Sequence, residues 1–136
     1  MATSLSELGL TIKRVQARQH RTATEALKPL DVTLVQWDAL RHLHANPGAS
    51  LHDLAVLTFQ TDQAFGTLAA RLEARGLIRR VTGAGRAIRP ELTPEGERVR
   101  AAGQKILDGM LRQRFAPLDE NEREALGGML RRLLDD

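Results

Sequence analysis

Apolar residues recur along the first part of the chain with the spacing of an α-helix. Between about residues 4 and 27 they fall loosely on one helical face, at Leu5, Leu8, Ile12 and Val15 and again at Ala26 and Leu27. Pro29 disfavours helical backbone for the residue that precedes it, so the helix is predicted to end in the segment KPLDV. The chain therefore opens with a long amphipathic helix.

Each of the next three predicted helices begins with a residue that can cap a helix N-terminus. Thr33 with Gln36, and Ser50 with Asp53, have the spacing of a capping box, in which two side chains satisfy free backbone N–H groups. Thr61 can cap a further helix that runs to about residue 75. The apolar residues of this further helix recur at i, i+3, i+4 and i+7 and predict one buried face: Phe65, Leu68, Ala69 and Leu72.

Two short extended runs follow, over residues 77–81 and 87–92. The segment TGAGR between them predicts a hairpin loop with glycine-permitted turns. Pro90 cannot donate to a strand ladder, so the second run is predicted to be an edge strand. Thr93 and Pro94 then have the pattern of a helix cap followed by a first-turn proline, which predicts the start of a long helix.

The order of these elements predicts a mainly α protein with a small β-hairpin wing. Its middle, about residues 33–93, is a helix–turn–helix followed by a two-stranded ribbon, which is a winged helix-turn-helix. Helices at about residues 4–28 and 94–134 flank this core, the last of them beginning at a capping pair, Asp119 with Glu122. A chain of 136 residues suits one domain, so a single domain is predicted for residues 1–136.

The flanking helices carry more apolar residues than the winged-helix core can cover. Leu5, Leu8 and Ile12 have no obvious partner in that core. The last helix has a dense apolar stripe: Leu126, Met129, Leu130, Leu133 and Leu134. The simplest arrangement is a two-fold homodimer in which the ends of two chains interlock, and these helices are therefore predicted to be dimerisation helices. The alternative is that both stripes pack back onto their own domain.

Positive charge is concentrated in the segment RLEARGLIRRVTGAGRAIR, from Arg71 to Arg89. It contains six arginines and one acid, Glu73, whereas the whole chain has a formal net charge of only +3. Guanidinium groups form forked hydrogen bonds with phosphates and with guanine edges. The segment predicts contact with double-stranded DNA through Arg71, Arg79, Arg80, Arg86 and Arg89. The alternative is that these arginines only solvate the surface.

A helix that enters the major groove needs short polar side chains near its N-terminus. The predicted helix after residue 60 has them, and we expect the following residues to contact DNA: Gln60, Thr61, Gln63, Ala64, Gly66 and Thr67. Asp62 suits the positive end of the helix dipole. It would repel phosphate, however, unless it faces a cytosine amine or a neighbouring arginine.

Other kinds of chemistry find little support in the composition. The chain has no cysteine, which excludes disulfides and cysteine-ligated metal sites. No apolar run approaches the roughly 20 residues of a membrane span, and the first residues lack the pattern of a signal peptide. His42 and His44 are two residues apart, whereas zinc ligands on a helix are commonly four apart. A cytosolic protein that is not an enzyme and has no metal or cofactor is expected.

Three segments of the chain have recognisable patterns: VTLVQWDALRHLHANPGASLHDLA, RLEARGLIRRV, and LTPEG at Leu92–Gly96. Together they resemble the MarR family of bacterial transcriptional regulators, over roughly residues 27–134. The first is similar to the family's second and third helices, the second to the end of its recognition helix and its first wing strand, and the third to the end of its wing. The resemblance implies that Arg86 is the wing-tip arginine and Thr61 the helix-capping residue. Ala84 stands where the family has an aspartate that braces that arginine.

The resemblance implies a ligand-responsive repressor that binds DNA as a homodimer. Its operator would be a pseudo-palindrome with half-sites about one helical turn apart, and it would act in the bacterial cytoplasm, at the nucleoid. Small lipophilic or aromatic effectors are expected in a cleft beside the dimerisation helices, with His20, Trp37 and Arg41 as pocket residues. The main prediction for Trp37, however, is that it is a core residue. Because the aspartate is missing and the recognition helix is sparse, a winged helix used only for protein contacts is the alternative.

Overall fold

The computed structural model describes residues 2–82 and 88–135. Within these residues the chain forms helices α1 (Leu5–Ala26), α2 (Leu34–Ala45), α3 (Leu51–Leu57), α4 (Asp62–Ala74), α5 (Pro94–Phe115) and α6 (Glu120–Leu134), strands β1 (Ile78–Thr82) and β2 (Ile88–Leu92), and a 3-10 helix (Lys28–Leu30) between α1 and α2. The predicted class, mainly α with a small hairpin, is confirmed.

Side-chain caps explain where most of the helices begin. The Thr33 hydroxyl accepts a hydrogen bond from the Gln36 N–H at 3.1 Å, and the Gln36 side chain accepts one from the Thr33 N–H at 3.0 Å. The same reciprocal box forms at three other helices, between Ser4 and Glu7, Ser50 and Asp53, and Asp119 and Glu122. All the capping boxes predicted from the sequence are therefore present, and the one at Ser4 adds to them.

Most of the buried core lies in the winged-helix unit, about residues 33–93, and α5 adds Val99 and Leu107 to it. Leu40 of α2 and Leu54 of α3 are both 0% exposed, and Trp37 is 4% exposed. The predicted apolar face of α4 is buried against them along its whole length, with Phe65, Leu68, Ala69 and Leu72 all in the core. The prediction that Trp37 is a core residue is confirmed.

Two glycines allow α5 to approach the unit closely. A Cβ on Gly103 would lie 2.3 Å from Trp37 Nε1, and the indole N–H of Trp37 donates to the Arg100 carbonyl at 3.0 Å. A Cβ on Gly96 would lie 1.9 Å from the Leu77 carbonyl oxygen. Because no larger residue fits at either position, α5 is packed directly on α2 and on the start of the wing.

The wing follows α4 through a left-handed glycine. Gly76 has φ +74° and the N–H of the next residue, Leu77, donates to the Leu72 carbonyl at 3.0 Å, which ends the helix as predicted. β1 then pairs antiparallel with β2 in a register that places Arg80 opposite Pro90. The predicted loop residues between the strands, with Arg86 among them, lie outside the described residues.

The terminal helices differ from the unit because their apolar residues are exposed. Only Ala23 is buried in α1, and no described residue of α6 is buried. The exposed large apolar side chains are Leu5, Leu8, Leu10, Ile12 and Val15 on α1 and Met129, Leu130, Leu133 and Leu134 on α6. These stripes do not pack back onto the same chain. Within the described part of the chain, no helix is long and apolar enough to cross a membrane.

Candidate nucleic-acid interface

The N-terminal half of α4 presents a smooth polar surface. The Thr61 hydroxyl caps the helix by accepting from the Ala64 N–H at 3.0 Å. Thr61, Gln63, Ala64 and Thr67 are exposed, while the opposite side of the helix is buried in the core. The buried side fixes the helix, so the exposed side is held in a defined orientation.

Small residues leave this surface open to close approach. A Cβ added to Gly66 would have no neighbour within 4 Å. The Thr67 hydroxyl donates to the Gln63 carbonyl at 3.1 Å and so lies against its own helix. Gln63 is the longest side chain on this part of the surface, and its amide can pair with an adenine edge or with a phosphate.

Gln60, which was also predicted to contact DNA, lies two residues before the first residue of α4. It is half-buried in the turn between α3 and α4, and its side-chain N–H donates to the Thr58 hydroxyl at 3.1 Å. The preceding residue, Phe59, has φ +57° and is 97% exposed. No glycine marks this left-handed position, so sequence reasoning gave no signal for the path of the turn.

The predicted arginine cluster divides into free and paired side chains. Arg71 on α4 and Arg89 on β2 have no acidic partner among the described residues. Arg79 is 3.4 Å from Glu91 across the ribbon, and Arg80 is 3.6 Å from Glu73 on α4. The ribbon is therefore less positive than its sequence suggests.

Asp62, the acid at the N-terminal end of α4, has a partner that the sequence did not indicate. Its Oδ1 lies 2.8 Å from Nδ1 of His52 on α3. The side chains of Asp62 and His52 are 70% and 69% exposed. The hydrogen bond and the charge of Asp62 raise the pKa of His52 above its ordinary value. The expectation of a cytosine amine or an arginine beside Asp62 missed this contact, because it depends on how α3 packs against α4.

A cleft of about 440 Å³ separates α1 from the start of the helix–turn–helix. It is lined by Gln16, His20, Leu34, Val35, Asp38, Thr58 and Gln60. Of the three predicted pocket residues, only His20 lines it. Trp37 is in the core instead, and Arg41 pairs with Asp38 at 2.7 Å while its guanidinium lies 6.0 Å from the Trp37 ring centroid.

Residues 30–87 match the family model described as "MarR family". This stretch contains α2, α3, α4 and β1, and therefore the complete helix–turn–helix. Among curated proteins, the chain is similar to the HTH-type transcriptional repressor Rv2887 of Mycobacterium tuberculosis, with 29% identity over 131 residues, covering 95% of this chain and 94% of the relative. The match extends over the terminal helices as well as the unit.

Solved structures are similar over nearly the whole chain. The crystal structure of S. aureus MepR in complex with DNA has a TM-score of 0.83 and 25% identity, covering 96% of this chain and 94% of that one. The structure of the M. tuberculosis MarR family protein Rv2887 in complex with salicylic acid has a TM-score of 0.76 and 28% identity, covering 97% of both chains. A probable transcriptional regulator from Pseudomonas aeruginosa has a TM-score of 0.83 and 29% identity, covering 93% of this chain and 96% of that one.

Proposed function

Because the chain belongs to the MarR family of transcriptional regulators, we propose that it represses transcription by binding a pseudo-palindromic operator as a homodimer. The family consists of regulators and not of enzymes, as the sequence predicted. In the proposed arrangement residues 1–136 form one domain, with a DNA-binding core at about 33–93 between two dimerisation segments. Since its target is the chromosome, the protein would act in the bacterial cytoplasm, at the nucleoid.

The observation that carries the proposal is the two-sided character of α4. One side is fixed in the core by Phe65 and Leu72, while the other offers small polar residues that let a DNA groove approach the backbone. Arg71 extends this surface along the helix. Duplex DNA carries a negative charge about every 1.7 Å along its axis, and cations that neutralise it release condensed counterions. A relative with 25% identity, MepR, has been solved with DNA.

The paired ribbon arginines have a different part in this proposal from Arg71 and Arg89. Arg79 and Arg80 would exchange Glu91 and Glu73 for phosphate oxygens on binding. Exposed ion pairs of this kind contribute only about 0–1 kcal/mol, so the exchange costs little. We expect each of these arginines to add less to affinity than Arg71, because the carboxylates released remain close to the phosphates.

The partner that covers the terminal helices is, in this proposal, a second copy of the same chain. A mostly apolar groove of about 260 Å³ lies at the junction of α5 and α6, lined by Phe115, Arg123, Leu126, Gly127 and Leu130. An apolar stripe on α1 is left uncovered on the same chain. A two-fold dimer buries equivalent surfaces of both copies at once. It also places two copies of α4 to read half-sites about one helical turn apart.

The cleft beside α1 is the proposed effector site. Thr58 and Gln60 of its wall belong to the turn that leads into α4, so a bound molecule there contacts the segment that positions the DNA-reading helix. His20 can donate to an acidic group on the effector, and Leu34 with Val35 offers an apolar wall for an aromatic ring. The relative Rv2887 has been solved with salicylic acid. A small aromatic acid that shifts the turn would release the DNA.

Selection of bound sites from random duplex DNA tests the proposal directly. We expect enrichment of an inverted repeat with half-site centres about 10 base pairs apart. Addition of salicylate to the selected complex should weaken binding, and His20→Ala should reduce this response without changing affinity in its absence. Failure to enrich any sequence would contradict the proposal and favour a winged helix that contacts only proteins.

A further inference from the structure

We propose that His52 is a DNA-phosphate ligand held in place by Asp62, and that operator binding is coupled to the uptake of a proton by this pair. The inference rests on the proposed DNA binding by α4. It assigns a role to two residues that the sequence and the family resemblance left without one. It also explains how an acid can sit at the DNA-reading end of the helix.

The position of the pair follows from the helix–turn–helix. Asp62 is the first residue of α4, and His52 is the second residue of α3. In this motif the first helix crosses the DNA backbone while the N-terminal residues of the second enter the groove. His52 Nδ1 and Asp62 Oδ1 are 2.8 Å apart, so in a complex of this kind the ring would lie where the duplex passes from groove to backbone.

The geometry leaves one ring nitrogen available to DNA. Nδ1 is engaged by Asp62, whereas Nε2, on the far side of the ring, has no hydrogen-bond partner in residues 2–82 and 88–135. In the imidazolium form both nitrogens carry hydrogens, so the ring can bond to Asp62 and to a phosphate oxygen at once. A hydrogen bond between a cation and a phosphate is among the stronger kinds in proteins.

The charge of the pair decides the direction of the pH effect. With a neutral His52, the pair has the net negative charge of Asp62 and repels a phosphate. With a protonated His52, the pair is neutral and donates to it. The charged groups that act on the ring are Asp62 from α4, which has the larger effect, and Asp53 from α3, and both raise the pKa of His52 above its ordinary 6.5. A neighbouring phosphate raises the pKa of His52 further. The affinity for DNA therefore decreases as the pH rises through this pKa.

The test measures binding of a selected operator by the full chain, at constant ionic strength, from about pH 6 to about pH 8.5. We expect wild-type affinity to fall by roughly tenfold across this range, because the ring loses the proton with which it binds the phosphate. His52→Gln should remove the pH dependence and bind at all pH values like the wild type at high pH. Asp62→Asn should bind more tightly than the wild type at high pH, because it removes the repelling carboxylate.

His44→Gln provides the matched control. His44 is also an exposed histidine paired with a carboxylate, 3.1 Å from Glu97, but it lies where α2 meets α5. This variant should retain the wild-type pH dependence. A flat wild-type profile, a His52→Gln profile that follows the wild type, or weaker binding by Asp62→Asn at high pH would each overturn the inference while leaving DNA binding intact. Absence of operator binding by the wild type at every pH would instead overturn the proposed function and this inference with it.

Discussion

The winged-helix unit and the terminal helices place their leucines in opposite environments. In the unit, Leu40 and Leu54 are 0% exposed, whereas Leu5 of α1 is 86% exposed and Leu133 of α6 is 70% exposed. Burial of a leucine side chain is worth about 1.5–3 kcal/mol, so the unit gains its stability within one chain. Helices α1 and α6 gain the same free energy only if their leucines are buried against a surface outside the chain. The winged-helix unit therefore buries its leucines without a second chain, whereas the leucines of α1 and α6 would be buried only in the proposed dimer.

The largest effect is expected from a charge placed in the proposed dimer interface. Leu130→Glu should abolish the homodimer, because a carboxylate enters an apolar contact twice per dimer at a cost of several kcal/mol each. Sedimentation equilibrium should show the mass of one chain. Val56→Glu is the control, since Val56 is also an exposed apolar residue but lies on α3; it should keep the mass of two chains. Equal masses for both variants would refute the assignment of α6 to the interface.

Truncation of a buried side chain tests the core of the winged-helix unit. Leu54→Ala should cost about 2–5 kcal/mol in the free energy of unfolding, because it removes buried methyl groups and leaves a cavity. Urea denaturation at matched protein concentration measures this. Leu57→Ala, on the same helix but at a residue that is 40% exposed, should cost less than about 1 kcal/mol. Similar losses for the two variants would show that α3 does not bury the face seen here.

A smaller loss is expected where α5 approaches Trp37. Gly103→Ala places a Cβ against the indole and should cost about 1–3 kcal/mol through overpacking. Trp37 is the single tryptophan of the chain, so its fluorescence emission should change in the same variant. Gly109→Ala on the same helix has open space around the new Cβ and should be neutral or stabilising by up to about 1 kcal/mol. Wild-type stability and emission in Gly103→Ala would contradict the close contact.

Local signals in the sequence were sufficient for the elements of the fold. Capping residues such as Thr33 and Asp119 act on backbone groups within three residues, so their effect can be read without knowing the tertiary structure. Gly76 ends α4 for an equally local reason, because the left-handed backbone there favours glycine. The position of the core could also be predicted, since the period of the apolar residues on α4 identifies the buried face of that helix.

The polar contacts of the site could not be predicted in the same way. His52 and Asp62 are ten residues apart, and Arg79 and Glu91 are on different strands, so their pairing depends on tertiary packing. Gln60 was assigned to the DNA surface from its place in the sequence. Its position beside the cleft follows from a turn with Phe59 in the left-handed region, and no local signal in the sequence indicates that turn. Trp37 is buried and its indole N–H donates to the Arg100 carbonyl on α5, a contact that also depends on tertiary packing.

Salt dependence of duplex binding tests whether α4 forms a DNA-binding surface together with Arg71 and Arg89, which have no acidic partner among the described residues. The logarithm of the binding constant should fall steeply and linearly with the logarithm of salt concentration, with a loss on the order of a thousandfold between about 50 and 200 mM. Arg71→Ala should reduce the slope by about one, whereas Arg41→Ala, paired with Asp38 on α2, should leave it unchanged. Binding that is independent of salt, or a slope that Arg71→Ala does not alter, would contradict the account.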